Sequence, residues 1–96
     1  MNALIEKSPN ASKKYRVTFH NGKHVDFGGK GYEDYTMHKD HERRKKYIIR
    51  HQKREDWKDP YTAGFWSRWL LWEKPTLKSS AQFIQKHFGI RIHGNI

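Results

Sequence analysis

Seven histidines are the first candidates for chemistry in this chain, because a neutral imidazole is a common metal ligand. His20 and His24 flank a predicted turn, and His38 and His41 stand three residues apart beside Asp40. A zinc site usually draws on cysteine, on a His-Glu-x-x-His helix or on a second closely spaced pair of ligands on a helix, and the sequence predicts none of these. We therefore expect surface histidines and no metal or other cofactor.

Hydrolytic chemistry would need a nucleophile with its base, or paired carboxylates in a cleft. No nucleophile motif surrounds Ser67, Ser79 or Ser80. One group of acidic residues lies close together in sequence among basic residues such as Lys39 and Arg43. Solvated ion pairs explain this spacing better than a catalytic role does. These acidic residues are Glu33, Asp34, Asp40 and Glu42. The sequence therefore predicts a protein that is not an enzyme.

Positive charge is a stronger chemical signal. The chain has 20 lysines and arginines against 10 acidic residues, a formal charge of +10, which favours nucleic acid, anionic lipid or an acidic protein surface as partner. The densest cationic block predicts a helix over residues 41–54, capped by Asp40. Its cationic residues are the predicted partner-binding basic face: Arg43, Arg44, Lys45, Lys46, Arg50, Lys53 and Arg54.

Two patterns predict the elements that hold this helix. Within it, Tyr47, Ile48 and His51 share one side at helical spacing, so the helix should touch the core along a thin stripe, with Ile49 pointing nearly the opposite way. Ahead of it, alternating apolar residues predict a β-hairpin over residues 14–28. A three-residue loop with Asn21 and Gly22 as turn residues, and Gly22 left-handed, keeps one face apolar. That loop pairs Phe19 with Lys23, Val17 with Val25 and Tyr15 with Phe27.

The segment TAGFWSRWLLWEKPTL, residues 62–77, holds three of the four tryptophans. Asp59 and Pro60 favour a helix start and Pro75 a stop, which predicts an aromatic helix over residues 60–73. Projected at 100° per residue, its large apolar side chains spread over roughly 180°, wider than an ordinary core stripe. We expect Phe65 and Trp69 in the core. We assign the far edge of the arc to partner contact, through Trp66 and Leu70 with Arg68 at the rim.

The remaining chain completes a small α+β domain. A third helix is predicted over residues 78–88, with Ser79 and Gln82 as a capping box and Gly89 as its stop. Residues 1–13 are predicted to be a flexible arm, residues 14–89 a single domain and residues 90–96 a tail. The predicted fold is an N-terminal β-hairpin followed by three helices around an aromatic core. The predicted structural core is Tyr15, Val17, Phe19, Val25, Phe27, Tyr47, Ile48, Phe65, Trp69, Trp72, Ile84 and Phe88.

The cysteine content and the hydropathy of the sequence predict the compartment in which the protein folds. It has no cysteine, which excludes a disulfide scaffold and fits a reducing compartment. No apolar run reaches the roughly 20 residues that span a bilayer, so we expect no transmembrane segment and a soluble protein made inside the cell.

Three motifs carry a resemblance to a known group of proteins. They are GYEDYTMHKD, ERRKKYIIRHQKREDW and TAGFWSRWLLWEKPTL. Over about residues 28–88 the chain resembles small basic proteins of nucleocytoplasmic large DNA viruses, the group that includes phycodnaviruses, iridoviruses and marseilleviruses. The resemblance implies a viral protein made in the host cytoplasm and located in the virion, in the capsid shell. It carries over no catalytic or binding residue.

Two functional hypotheses follow. The first is a virion structural protein, a minor capsid protein that bridges or stabilises the major capsid lattice, with the major capsid protein and other minor capsid proteins as partners. The second is a basic DNA-binding or packaging protein that contacts phosphates through the helix at residues 41–54. Contact with an internal viral membrane through Trp66 is a third alternative.

Overall fold

The computed structural model describes residues 1–94 and shows a four-stranded sheet with helices against one face. In chain order, the elements are β1 (Asn2–Lys7), β2 (Lys13–Phe19), β3 (His24–Gly29), α1 (Tyr35–His38), α2 (His41–His51), α3 (Ala63–Trp66), α4 (Leu77–Phe88) and β4 (Arg91–His93). A π-helical turn, Ser67–Leu71, continues α3 directly. The predicted α+β class, with a β-hairpin near the N-terminus and an aromatic cluster, is confirmed.

The predicted flexible arm is wrong for residues 2–7, which form β1 inside the sheet. The strand order is β3-β2-β1-β4; β1 pairs antiparallel with β2 and parallel with β4. Ala3 and Ile5 are both 1% exposed, whereas Asn2, Leu4 and Glu6 face away from the helices. This alternation is the period of a strand that is buried on one face. The sequence did not predict the strand, because its two inward apolar residues are surrounded by polar ones. The tail also contributes β4, and its last two residues lie outside the described part.

The predicted hairpin register is confirmed. Tyr15 pairs with Phe27 and Val17 with Val25. Gly22 has φ 86°, and its N–H donates to the Phe19 carbonyl at 2.9 Å. This left-handed glycine lets the three-residue loop keep the apolar side chains on the helix-facing side of the sheet.

The basic helix is shorter than predicted. Asp40 caps α2 as expected, since its Oδ1 accepts from the N–H groups of Glu42 at 2.9 Å and Arg43 at 3.3 Å. The helix ends at His51, and the Arg54 N–H then bonds to the His51 carbonyl, an i to i−3 turn in place of helical continuation.

The predicted single helix over residues 60–73 is wrong as well. α3 begins after Thr62, whose Oγ1 accepts from the Phe65 N–H at 3.2 Å, and π-helical geometry takes over from Ser67. A π turn inserts an extra residue, so a projection at 100° per residue misplaces every side chain after that point. We name residues 63–72 the aromatic segment.

The third helix agrees with the prediction except at its cap. Thr76, rather than Ser79 with Gln82, caps α4, because Thr76 Oγ1 accepts from the Ser79 N–H at 3.1 Å. Gly89, with φ 67°, ends the helix as predicted.

The core lies between the sheet and the helices. Of the predicted core residues, Val17, Phe19, Phe27, Tyr47, Phe65 and Ile84 are buried, and Tyr15, Val25, Ile48, Trp69, Trp72 and Phe88 are half-buried. Further buried apolar side chains come from the sheet and the aromatic segment: Ala3, Ile5, Trp66, Leu70 and Leu71. Within residues 1–94, no helix has the length and apolar character needed to cross a membrane.

Candidate functional site

The outer side of α2 carries a dense group of exposed cations. We name the exposed cations of α2 and of the turn that follows it the cationic face: Arg43, Lys45, Lys46, Arg50, Lys53 and Arg54. Ile49 is 62% exposed within this face, three or four residues from Lys45 and Lys46 along the same helix. Because neighbours at that spacing share a helical surface, the face combines dense positive charge with one apolar side chain.

Arg44 does not belong to the face, although the sequence analysis placed it there. Its guanidinium turns inward, where Nε donates to the Trp72 carbonyl at 2.9 Å and Nη2 to Glu73 Oε1 at 3.1 Å. Arg68 Nη1 lies 3.3 Å from the same carboxylate oxygen. Two arginines from different elements therefore share Glu73, and this ion cluster ties α2 to the aromatic segment.

Stacked rings form the second anchor of α2. Tyr47 stacks on Trp72, with ring centroids 4.3 Å apart and planes 1° from parallel, and on His51 at 4.4 Å. Burial, and secondarily the Glu55 carboxylate, raise the pKa of Tyr47, so its hydroxyl stays protonated. The helix is therefore held along a thin inner stripe, and its charged side remains free.

The predicted aromatic edge is wrong as a partner-binding surface. Trp66 and Leu70 are 0% exposed and Arg68 is 7% exposed. The Trp66 indole N–H donates to the Pro60 carbonyl at 2.7 Å, and its ring packs on Phe27. These residues belong to the core, so Trp66 also provides no contact for a membrane.

Arg68 is enclosed by rings. Its guanidinium carbon lies 4.2 Å from the centroid of Trp69 and 5.3 Å from that of Trp57. Burial lowers the pKa of Arg68, opposed by the charge of Glu73. A buried cation needs both compensations, ring faces and a carboxylate, and this arrangement explains why an arginine sits amid the tryptophans.

A groove of about 440 Å³ runs between α2 and the end of β3. We call its polar and charged lining side chains the rim, and its larger apolar lining side chains, Tyr47, Leu71 and Trp72, the base. The residues that line it include Lys14, Gly29, Tyr32, Glu33, Asp34, Arg43, Arg50, His51, Glu55, Gly64 and Ser67. The groove could not be predicted from the sequence, because its walls come from segments far apart in the chain.

The histidines are dispersed among local contacts. His38 Nδ1 accepts from the Asp40 N–H at 2.9 Å, His41 Nδ1 lies 3.0 Å from the Tyr35 hydroxyl, and His51 Nδ1 lies 3.3 Å from Glu55 Oε1. In the described part of the chain, no group of three or more metal-ligating side chains comes together.

These features define a small basic α+β domain with a cationic helical face beside a polar groove. Residues 3–51 match a family of unknown function (DUF5754), which is just over half of the chain, so the protein belongs to that family. The match runs from β1 through α2 and so includes most of the cationic face. No curated protein and no solved structure matches the chain.

Proposed function

We propose that this protein is a virion structural protein, a minor capsid protein that bridges or stabilises the major capsid lattice of a large DNA virus. It attaches through its cationic face to an acidic surface of the major capsid protein or of another minor capsid protein. The sequence resemblance over residues 28–88 supports the viral setting. The face on α2 supports the mode of attachment.

The exposure of Ile49 is the observation that favours a protein as the partner. An apolar side chain 62% exposed within a dense cationic surface gains nothing from a phosphate backbone, but it gains from burial in a recess of a protein surface. The flanking lysines then pair with acidic groups around that recess and guide the encounter. The partner chemistry is therefore an apolar recess rimmed by carboxylates.

The rigidity of α2 also supports docking. Arg44 and Tyr47 fasten its inner side to Glu73 and Trp72, so presenting the outer side requires no reordering of the backbone. Preorganisation of this kind lowers the entropic cost of association.

Fractionation of purified virions tests the proposal. Shells are separated from DNA-containing cores, and mass spectrometry follows the protein through both fractions and through a high-salt wash. We expect the protein in the shell fraction, with partial loss at high salt as the charged contacts are screened. Absence from purified shells would contradict the proposal.

Rebinding to stripped shells sharpens that test. Ile49→Ser should weaken rebinding by about tenfold, the effect expected for removing one buried apolar anchor. Lys53→Glu should weaken it further by placing like charges together. Lys86→Glu makes the same charge change on the exposed side of α4 and serves as the matched control, with rebinding close to that of the unaltered protein.

DNA binding or packaging is the second candidate. The spacing of Arg43, Lys46 and Arg50 favours it, since these cations follow one line along α2 and suit a row of phosphates. This function predicts that the logarithm of the affinity for duplex DNA falls with the logarithm of salt concentration, with a slope of about 0.9 per neutralised phosphate. A flat salt dependence would exclude it.

A further inference from the structure

The groove beside the cationic face is lined by an exposed aromatic ring, that of Tyr32, and by two arginines, Arg43 and Arg50. From this arrangement we propose that the groove binds a nucleotide unit, a planar base carrying a phosphate. Such a site goes beyond the capsid contact, because Tyr32 lies outside the cationic face, although Arg43 and Arg50 belong to both surfaces.

Tyr32 is held in place despite being 77% exposed. Its N–H donates to the Gly29 carbonyl at 3.2 Å, closing a tight turn in which Gly31 has φ 91°. A Cβ at Gly29 would lie 2.8 Å from Cδ2 of Tyr32, so the ring rests directly on bare glycine backbone. The ring is thereby supported from beneath while most of its surface faces solvent, as in a stacking platform for a base.

The cations of the rim differ in how far they are already neutralised. Lys14 Nζ lies 2.6 Å from the buried Asp34 carboxylate and is fully engaged. Arg43 lies 3.6 Å from Glu33, and both side chains are about half exposed, so that pair is weak. Arg50 makes no ion pair within residues 1–94. Arg43 and Arg50 therefore remain available to a phosphate, for which a guanidinium is well suited.

The base of the groove suits the rest of such a ligand. Tyr47, Leu71 and Trp72 supply apolar surface, and the Glu33 carboxylate at the rim can accept hydrogen bonds from sugar hydroxyls or base amino groups. The volume of about 440 Å³ is within the usual range for small-molecule sites. An acidic peptide would pair with the arginines but would leave the open ring unused, so a nucleotide fits more of the groove.

Fluorescence anisotropy and calorimetry test the inference with defined probes: adenosine monophosphate, a short labelled oligothymidylate, a duplex of the same length, and inorganic phosphate. We expect the mononucleotide or the single strand to bind more tightly than phosphate and than the duplex. Mononucleotide binding equal to that of the strand identifies a free nucleotide as ligand, whereas a much tighter strand identifies single-stranded nucleic acid. Either result supports the proposal.

Variants at the two key side chains decide whether the groove is responsible. Tyr32→Ala should lower affinity about tenfold, and Tyr32→Phe should restore it, because stacking needs the ring and not the hydroxyl. Arg50→Gln should lower affinity and reduce the salt slope by about 1. Lys45→Gln removes the same charge from another side of α2 and is the matched control, with a smaller effect than Arg50→Gln.

Three results would overturn the proposal: no binding of either nucleotide probe, equal affinity of Tyr32→Ala and the unaltered protein, or duplex binding as tight as that of the strand. The Tyr32→Ala variant should still rebind to virion shells. A loss of nucleotide binding is therefore distinguishable from a failure of the capsid contact.

Discussion

The aromatic segment and α2 use similar amounts of chain in opposite ways. In the aromatic segment, Phe65, Trp66 and Leu70 are wholly enclosed, and even Arg68 is buried among rings. In α2, Tyr47 alone is buried, and the other side chains are half-buried or exposed. The aromatic segment therefore contributes buried side chains to the core of a chain that is only 34% hydrophobic, and α2 contributes exposed charged surface. The high aromatic content of the aromatic segment therefore indicates a core and not a surface for a partner.

Removing one enclosed ring from the aromatic segment should have the largest effect on the stability of the fold. Trp66→Ala should lower the free energy of unfolding by about 3–5 kcal/mol, because it deletes a fully buried indole at the centre of the core. Chemical denaturation followed by circular dichroism measures the loss. Tyr32→Ala is the control, with a change within about 0.5 kcal/mol, as expected for an exposed side chain. Similar losses in both variants would contradict the contrast.

The ion cluster that joins the two regions should be nearly as sensitive. Glu73→Gln leaves Arg44 and the buried Arg68 without their shared carboxylate, so we expect a loss of about 3 kcal/mol. Glu33→Gln is the matched change at a half-exposed pair, with an expected loss under about 1 kcal/mol. Equal effects in a denaturant titration would show that burial of the cluster does not matter.

Detaching α2 should leave the rest of the domain folded. Trp72→Leu removes the ring on which Tyr47 stacks at 4.3 Å, while keeping an apolar side chain. We expect amide hydrogen exchange in α2 to accelerate by about tenfold, with little change in β1 and β2. Uniform acceleration across the sheet would show that α2 and the core open as a single unit.

The smallest expected effect lies on the outer face of the sheet. Hydrogen bonds from Arg16 and then Ser8 lower the pKa of Asp26 to about 2. A depressed pKa contributes stability above the ordinary value of 3.8, and this contribution is lost as pH falls toward 2. Asp26→Asn should therefore flatten the acid side of the stability profile between those values. An unchanged profile would mean that Asp26 is not linked to acid unfolding.

Local rules predicted the parts of this fold that depend on neighbouring residues. The hairpin register, the Asp40 cap and the Gly89 stop each follow from side chains a few positions apart. The π turn after Trp66 did not follow, because it is selected by packing against distant segments rather than by intrinsic preference. Trp66, which precedes the turn, and Leu70 within it are both fully buried, because the sheet also covers the side of the segment that was assigned to a partner.

Only the part of the candidate site that depends on local sequence was predicted. A charge count identifies the cationic residues of α2, but Arg44 and Arg43 are adjacent and have opposite roles that depend on where Glu73 lies. Tyr32 stands in a polar segment of the sequence, and its contact with Gly29 becomes visible only in the folded turn. The FGGKGY run carried a signal for its platform, since glycines on both sides of a lysine permit a tight turn that presents the ring.

The pairing of β1 with β4 has a consequence for the order of folding. Asn2 lies opposite Arg91 and Leu4 opposite His93, so this ladder cannot form until β4 has been synthesised. The hairpin of β2 and β3 can form early from local contacts, whereas β1 keeps one open edge until residues 91–93 arrive. During synthesis, that edge is a template for any extended chain nearby, and pairing with β4 closes it over residues 2–4.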